Sequence, residues 1–488
     1  MNLRAIVTTA VCAAAAAHAA VSATGDRVLV VLEDPEPYAP WLKTLERQNF
    51  NVTLGDAPSA SHPDILFEYG ERKYDHAALL IPTEKTLRGD LAPQTLVRFL
   101  QDGGNLLVGL SPQRSEAWRA FAREFGIEFG DYDTHLVDHV RCDDALDDGD
   151  HSAVLVGGRS GVLSPGGIVD HTAVFSPHTL ALARESPLVF RGIAHWLGPN
   201  PLAFPLLLPP ATAYQTDVPK IVGDRRDWVA EGLASLEPLH ETRSLLTGLD
   251  AATDDATASL ASAVQLRDNS ARAVFVGSTE LLQSAFFTDA EHPATVAAMS
   301  DIVSWTFQQR GVLRLDRTAH RRLRAGPADV RPEYEEDDGH THMYRVKDTI
   351  HVELDLEQLG ARDWEAAPLD LGLQLSATML DPYLTVPLSA ELVRVSPTKT
   401  VARYAATFRL PDRHGVYTLR VNWKRHGWSY ILSESVVPVR PFNHDEYPRM
   451  LSSSWPYISG AFSTMLAFVG FAALWLLVPQ DKVPGKQE

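Results

Sequence analysis

From Ile458 to Val478 the chain carries no charge and is built mainly of Phe, Leu, Val, Ala and Trp. As a helix this run is about 31 Å long at 1.5 Å per residue, which matches the hydrocarbon core of a bilayer. Apolar residues occupy all its faces, whereas a helix packed on a soluble core keeps a polar side for water. The spacing therefore predicts a transmembrane helix over 458–478. Trp455 and Tyr457 stand where an interfacial aromatic belt belongs. The remainder is ordinary globular polymer, since hydrophobic residues make up 45% and charged residues 22% of 488. A chain of that length exceeds one core, so two or three domains are expected in front of a single span.

The opposite end sets the orientation. Arg4 precedes an Ala-rich run from Ala5 to Val21, and Val21-Ser22-Ala23 offers small residues ahead of a cleavage point. Residues 1–23 read as a signal peptide cut after Ala23. The body is then lumenal and residues 479–488 form a short cytosolic tail with Lys482 and Lys486, a type I single-pass topology. Cys12 leaves with the signal peptide, so Cys142 is the one mature thiol and no internal disulfide forms. No Cys-His spacing accompanies Cys142, which reads as an inert or intermolecular thiol. Acidic residues number 62 against 44 basic ones, a net charge of -18 that disfavours nucleic acid or an anionic membrane surface as the main ligand. Asn51-Val52-Thr53 is an acceptor pattern for N-glycosylation, which makes Asn51 a candidate glycan site.

Between the ends the rhythm changes twice. Val28 to Leu32 is a continuous apolar run, as a strand covered on both faces is, and Asp75-His76-Ala77-Ala78-Leu79-Leu80-Ile81 reads as another buried strand. Pro93 opens a helix with Leu96, Val97, Phe99 and Leu100 on one face; Gly103-Gly104 stops it, and Asn105 to Leu110 resumes a strand. This βαβ pattern predicts an α/β domain over 24–142 with an open, mostly parallel sheet. Residues 143–316 read as α/β or mixed, either continuous with the first domain or separate, with a strand at Ala271–Gly277 and a helix at Pro293–Gln309. Residues 317–345 are polar and read as a linker. Beyond it the period becomes two: Ile350, Val352, Leu354 and Leu356 alternate with His351, Glu353 and Asp355, and Tyr417, Leu419, Val421 and Trp423 repeat the pattern. A membrane-proximal antiparallel β-sandwich is expected over 346–447.

Motifs for chemistry are thin. Glu33-Asp34-Pro35 follows the first strand where a dinucleotide site would place glycines, and no Walker lysine loop is present. Gly158-Arg159-Ser160-Gly161 approaches a nucleophile elbow, but Val162 takes the final glycine position. The run Asp131, Asp133, His135, Asp138, His139, Asp143, Asp144, Asp147, Asp148 and Asp150 has alternate carboxylates and imidazoles suited to a divalent ion, yet lacks calcium-loop spacing and reads as a solvated loop. His340-Thr341-His342 has no third ligand nearby. No catalytic, cofactor-binding or metal residue is assigned. In the span, Gly460, Ser463, Thr464, Ala467 and Gly470 recur at intervals of three and four, a small-residue stripe that lets another helix approach closely.

A series of short signposts then occurs in a fixed order: Val28-Leu29-Val30-Val31-Leu32, Tyr74-Asp75-His76, Gly103-Gly104-Asn105, Val137-Asp138-His139, Phe190-Arg191-Gly192, Gly277-Ser278, Phe286-Phe287 and Gly311-Val312-Leu313-Arg314. Asp381-Pro382-Tyr383, Leu410-Pro411-Asp412, Val439-Arg440-Pro441 and Trp455-Pro456-Tyr457 continue it. In these residues the chain resembles the forty-eight-kilodalton subunit family of oligosaccharyltransferase, over nearly all of the mature length. The resemblance implies an endoplasmic reticulum membrane subunit of the enzyme that moves a preassembled oligosaccharide from dolichyl diphosphate to Asn in Asn-X-Ser/Thr. It further implies a non-catalytic scaffold role, with the active site on another subunit and with ribophorin-type and defender-against-death-type partners. An amidotransferase-like N-terminal fold without a working nucleophile, and no cofactor, are implied as well. The alternative from another class is a single-span lumenal amidotransferase-like hydrolase, for which Cys142 is the available thiol.

Overall fold

The computed structural model describes residues 22–56, 65–85, 87–143, 145–147, 149–158, 166–217, 237–238, 257–288, 291–323, 343–360, 363–397, 399–447 and 452–478. The expected signal segment therefore falls outside the described residues except for Ser22 and Ala23, whose chain lies against the body: the Ala23 N–H donates to Gln308 O at 3.1 Å.

The first apolar run forms β1 (Arg27–Leu32). It is followed by α1 (Ala39–Arg47), β2 (Asn51–Asp56), β3 (His76–Leu80), α2 (Pro93–Gln101), β4 (Asn105–Gly109) and α3 (Glu116–Arg123). Later segments supply β5 (Gly167–Ile168), α4 (Pro177–Glu185), β6 (Ala203–Leu208), β7 (Ala261–Gln265), β8 (Arg272–Val276) and α5 (Pro293–Thr306). All eight strands join one sheet in the order β5-β6-β7-β8-β4-β3-β1-β2. The run from β8 to β2 is parallel, and β7, β6 and β5 extend it antiparallel. Strands from both sides of residue 143 thus share this sheet.

The continuous apolar runs have a direct cause. Val28, Val30 and Leu32 face a core shared with Trp41 of α1 and Met299 of α5, while Leu29 and Val31 face one shared with Phe99 of α2 and Trp118 of α3. With both faces covered, no position of β1 after Arg27 tolerates a polar side chain. In and just after α5, Val296, Met299, Ile302, Val303 and Phe307 are all buried.

The second body contains β9 (Leu313–Arg322), β10 (Tyr344–Arg345), β11 (Thr349–Leu359), β12 (Gln374–Met379), β13 (Asp381–Pro387), β14 (Ser389–Arg394), β15 (Thr400–Arg409), β16 (Gly415–Trp423) and β17 (Ile431–Arg440). One sheet runs β9-β11-β15-β14 with Trp364–Ala366 beside β11, and the other runs β10-β17-β16-β12-β13. The two enclose a core that includes Ile350, Val352, Leu354, Leu356, Tyr417, Leu419 and Val421.

Two details differ from the sequence reading. Residues 317–322, taken there as the start of a linker, belong to β9, whose polar residues suit an edge strand with one wet side. The polar alternates of β11 are not solvated either, since Glu353, Asp355 and Glu357 are buried. Arg403 grips Asp355 through Nε and a terminal nitrogen at 2.8 and 3.0 Å, Arg314 lies 2.6 Å from Glu357, and Arg321 lies 3.4 Å from Glu353. Neighbouring strands cover these carboxylates with guanidinium groups, so alternation correctly places them on the outer face while their burial comes from partners.

The two bodies meet at the loop between β16 and β17. Gly311 has φ +63°, and a Cβ there would strike Gly427 O and lie 2.9 Å from Ala173 O. Gly311→Ala is expected to cost more than about 2 kcal/mol, combining left-handed strain with a backbone clash. A thermal unfolding midpoint equal to the parent's would contradict this packing.

Candidate partner surfaces and buried polar centres

Trp455–Leu477 forms α6, and no side chain along it is buried. Within Ser452–Leu477 an 18-residue stretch reaches mean hydropathy 1.9, and none of that stretch is buried against the body. Ser463 Oγ donates to Gly460 O at 2.8 Å and Thr464 Oγ1 to Ala461 O at 2.8 Å. These hydroxyls satisfy themselves within the helix, as hydrocarbon requires. Cβ atoms built at Gly460 and Gly470 would meet only open space. Together with Ala467 these residues recur at intervals of three and four along an unburied helix.

Asn51 begins β2, the outer edge of the eight-stranded sheet, and both Asn51 and Thr53 are exposed while Val52 packs against the core. The period of two puts the acceptor Asn and its Thr on the same face.

The structure disperses the first half of the acidic run. Asp131 Oδ1 accepts from Arg119 at 3.0 Å, and His135 Nε2 lies 3.7 Å from Asp133. Asp138 is buried and accepts from the Val140 and Arg141 N–H groups at 2.8 and 3.1 Å and from Thr212 Oγ1 at 2.5 Å. The second half converges instead. Cys142, Asp147 and His151 place one donor atom each within 4.8 Å of one another. The reading of Cys142 as a thiol without a histidine companion is thereby corrected: His151 returns to it through a turn that no periodicity announces. Asp144, Asp148, His340, His342 and most of the elbow-like segment lie outside the described residues.

At the carboxyl ends of β3 and β4, where open α/β sheets hold ligands, a cavity of about 260 Å³ is lined by Lys85, Arg114, Ser115, Glu116, Arg119 and Tyr132. Its cations are largely engaged. Arg114 is buried and donates to the Pro112, Gly130 and Asp131 carbonyls, and burial pushes its guanidinium down to about 10. Arg119 lies 3.0 Å from both Glu128 and Asp131.

Two buried histidines are structural. His76 Nε2–H donates to Gly25 O at 3.1 Å, and Asn105 Nδ2 donates to His76 Nδ1 at 3.2 Å. Asn105 Oδ1 in turn accepts the Arg272 N–H at 3.0 Å, which fixes the amide and with it the neutral tautomer. His195 Nε2 meets Ser262 Oγ at 2.6 Å, and both residues are fully buried. That Ser-His pair is sealed from any substrate.

The centre between the bodies is Arg272 at the start of β8, fully buried. Its guanidinium donates to the carbonyls of Trp305 at 2.5 Å, Arg310 at 2.6 Å, Gly311 at 2.8 Å and Gly427 at 3.4 Å, and lies 4.5 Å from the Trp305 ring centroid. It therefore closes the end of α5, where helix carbonyls lack partners. From the other body Trp428 O accepts from Gln265 Nε2 at 2.7 Å, the Gly427 N–H donates to Gln265 Oε1 at 3.0 Å, and Trp305 Nε1 donates to Gly427 O at 2.7 Å. His426 stacks on Phe204 at 5.1 Å. These contacts bind the sandwich loop to the α/β domain.

Family profiles described as OST48, N-terminal domain and OST48 middle domain match residues 19–309 and 331–479 respectively. The chain belongs to the OST48 family. It is 29% identical over 465 residues to the dolichyl-diphosphooligosaccharide–protein glycosyltransferase subunit wbp1 of Schizosaccharomyces pombe, covering 94% of this chain and 93% of that protein. The 48 kDa subunit of the same enzyme from Caenorhabditis elegans is 28% identical over 475 residues, with 94% and 93% covered. The Danio rerio 48 kDa subunit is 26% identical over 475 residues, with 92% and 91% covered. Among solved structures, a crystal structure of the carbohydrate deacetylase Agd3 is similar at TM-score 0.30 and 10% identity, over 74% of this chain and 37% of that one, a likeness too distant to bear on function. On this OST48-family chain the N-terminal profile covers the eight-stranded sheet and its helices, and the middle-domain profile runs from β10 through α6.

Proposed function

We propose that this chain is a non-catalytic, accessory subunit of an oligosaccharyltransferase complex, the assembly that transfers a preassembled oligosaccharide from dolichyl diphosphate to Asn in Asn-X-Ser/Thr. The observation that carries the reading is end-to-end similarity, at matched length, to proteins named as subunits of that enzyme. The architecture supports it. A two-body ectodomain offers surfaces, and an unburied span with a small-residue face offers a grip to partner helices. On this reading the ectodomain lies in the lumen of the endoplasmic reticulum, Asn51 is open to glycan addition, and catalysis resides on a polytopic partner. Ribophorin-type and defender-against-death-type subunits complete the set of partners.

The test is co-purification. Chain extracted in mild detergent is expected to bring down the catalytic subunit. A variant with Gly460→Leu and Ser463→Leu, which fills the small-residue face of α6 while keeping the helix apolar, is expected to reduce that recovery several-fold. Depletion of the chain is expected to leave acceptor sites on secreted glycoproteins unfilled. Undiminished glycosylation after depletion, or an ectodomain digested by protease outside sealed microsomes, would remove the proposal.

A further inference from the structure

We propose that Cys142, Asp147 and His151 form a binding site for one zinc-class divalent cation on the lumenal body. This rests on the local geometry alone and is independent of the subunit role. A soft thiol, a borderline imidazole and a hard carboxylate each place a donor atom within 4.8 Å of the other two. The backbone that carries them is tied down. Cys142 pairs with Val154 as an antiparallel bridge, the Asp143 N–H donates to Ala153 O at 2.8 Å, and the Asp138 N–H donates to His151 O at 3.1 Å. The His151 N–H donates to Asp147 Oδ1 at 2.7 Å, which aims the carboxylate at the imidazole.

A second observation points to an ion. His151 Nδ1 is shielded from solvent and lies 3.0 Å from Asp147 Oδ2, yet makes no hydrogen bond of acceptable geometry to it or to any other group. Buried polar atoms are paired as a rule, and this ring nitrogen and carboxylate oxygen stand side by side, as two donors to one shared cation do. The Asp147 side chain is itself only 7% exposed.

The donor set selects the metal class. Calcium and magnesium take oxygen donors and would leave sulfur and nitrogen unused, whereas zinc takes thiolate, imidazole and carboxylate together. Donors around a tetrahedral zinc stand about 3.3–3.8 Å apart, so three atoms that lie within 4.8 Å of one another reach that spacing by small side-chain adjustments, the 3.0 Å His151–Asp147 pair opening slightly, and a fourth position is left for water. His139 supports the ligand from outside, its ring 4.7 Å from that of His151 and its Nε2 2.5 Å from Tyr214 OH. Such outer contacts orient metal-bound imidazoles. A nucleophilic role suits Cys142 less well, because it sits in a bridged loop and heads no described helix whose N–H groups would stabilise an oxyanion.

Cobalt(II) titrated into the metal-stripped full-length chain in detergent is the direct probe. One ion per chain is expected, with a thiolate-to-metal charge-transfer absorption that zinc(II) abolishes. Cys142→Ser is expected to eliminate the absorption and His151→Gln to weaken binding by more than about tenfold, the least that even outer-shell changes cost at metal sites. A second measurement needs no variant: zinc(II) is expected to slow alkylation of Cys142, read by mass spectrometry of its peptide. Absence of the absorption in the parent chain, its survival in Cys142→Ser, or an alkylation rate indifferent to zinc would each overturn the site.

Discussion

Replacing Arg272 with Met is expected to destabilise the protein by about 3 kcal/mol or more, measured as the unfolding free energy of the full chain in detergent. Arg272 carries a charge in a fully buried site with no carboxylate beside it among the described residues, and burial lowers its pKa to about 9, so it stays protonated at neutral pH. What tolerates that charge is the ring of four carbonyls from Trp305, Arg310, Gly311 and Gly427. Met removes the charge but leaves the Arg310 carbonyl short of a donor, at about 1–3 kcal/mol for an unsatisfied group, while the Trp305 carbonyl keeps its backbone donor from Gln308 at 3.1 Å. Arg272→Lys is expected to fall little short of Met, because a point ammonium cannot reach the same fork of acceptors. Since one of the carbonyls belongs to the sandwich loop, both variants should also expose the junction near Gly427 to proteolysis. An unchanged unfolding free energy together with an intact junction would show that the guanidinium does not tie the bodies together.

Acidification supplies the second large effect. Burial lowers His76 from 6.5 to about 4 and His195 from 6.5 to about 3, so both are neutral in the folded protein. Unfolding lets them take up protons at their ordinary value. Their contribution is therefore complete above about pH 6.5 and is lost as pH falls from there toward the folded values. At about pH 5 each forfeits roughly 2 kcal/mol, about 4 kcal/mol for the pair. Protonation would also set an N–H of His76 against the Asn105 amide that now donates to it. His135, His139 and His171 are lowered by burial as well and act in the same direction. Melting temperatures recorded between about pH 8 and about pH 5 should fall steeply below the neutral plateau. A flat profile would contradict neutral buried imidazoles.

Some of this was written in the chain itself. Val28–Leu32 is readable as a strand buried on both faces because every residue there must be apolar for that to happen, and residues 458–478 are readable as a span because a bilayer admits nothing else of that length and composition. The family resemblance, carried by short motifs in order, was equally legible and led to the subunit reading. Local pattern, however, reports only the environment of one segment, not its distant partner. Nothing around Asp355 announces Arg403, 48 residues away, and nothing around Arg272 announces Gly427, 155 residues away. Only the tertiary structure decided that the acidic alternates of β11 would be buried, that residues 317–322 would extend a sheet, that β5 to β8 would complete the first sheet, and that Cys142 would meet Asp147 and His151. The physical reason is that each outcome depends on a partner distant in sequence, a complementary charge, a strand edge or a second donor atom, and the fold, rather than the neighbouring sequence, supplies it.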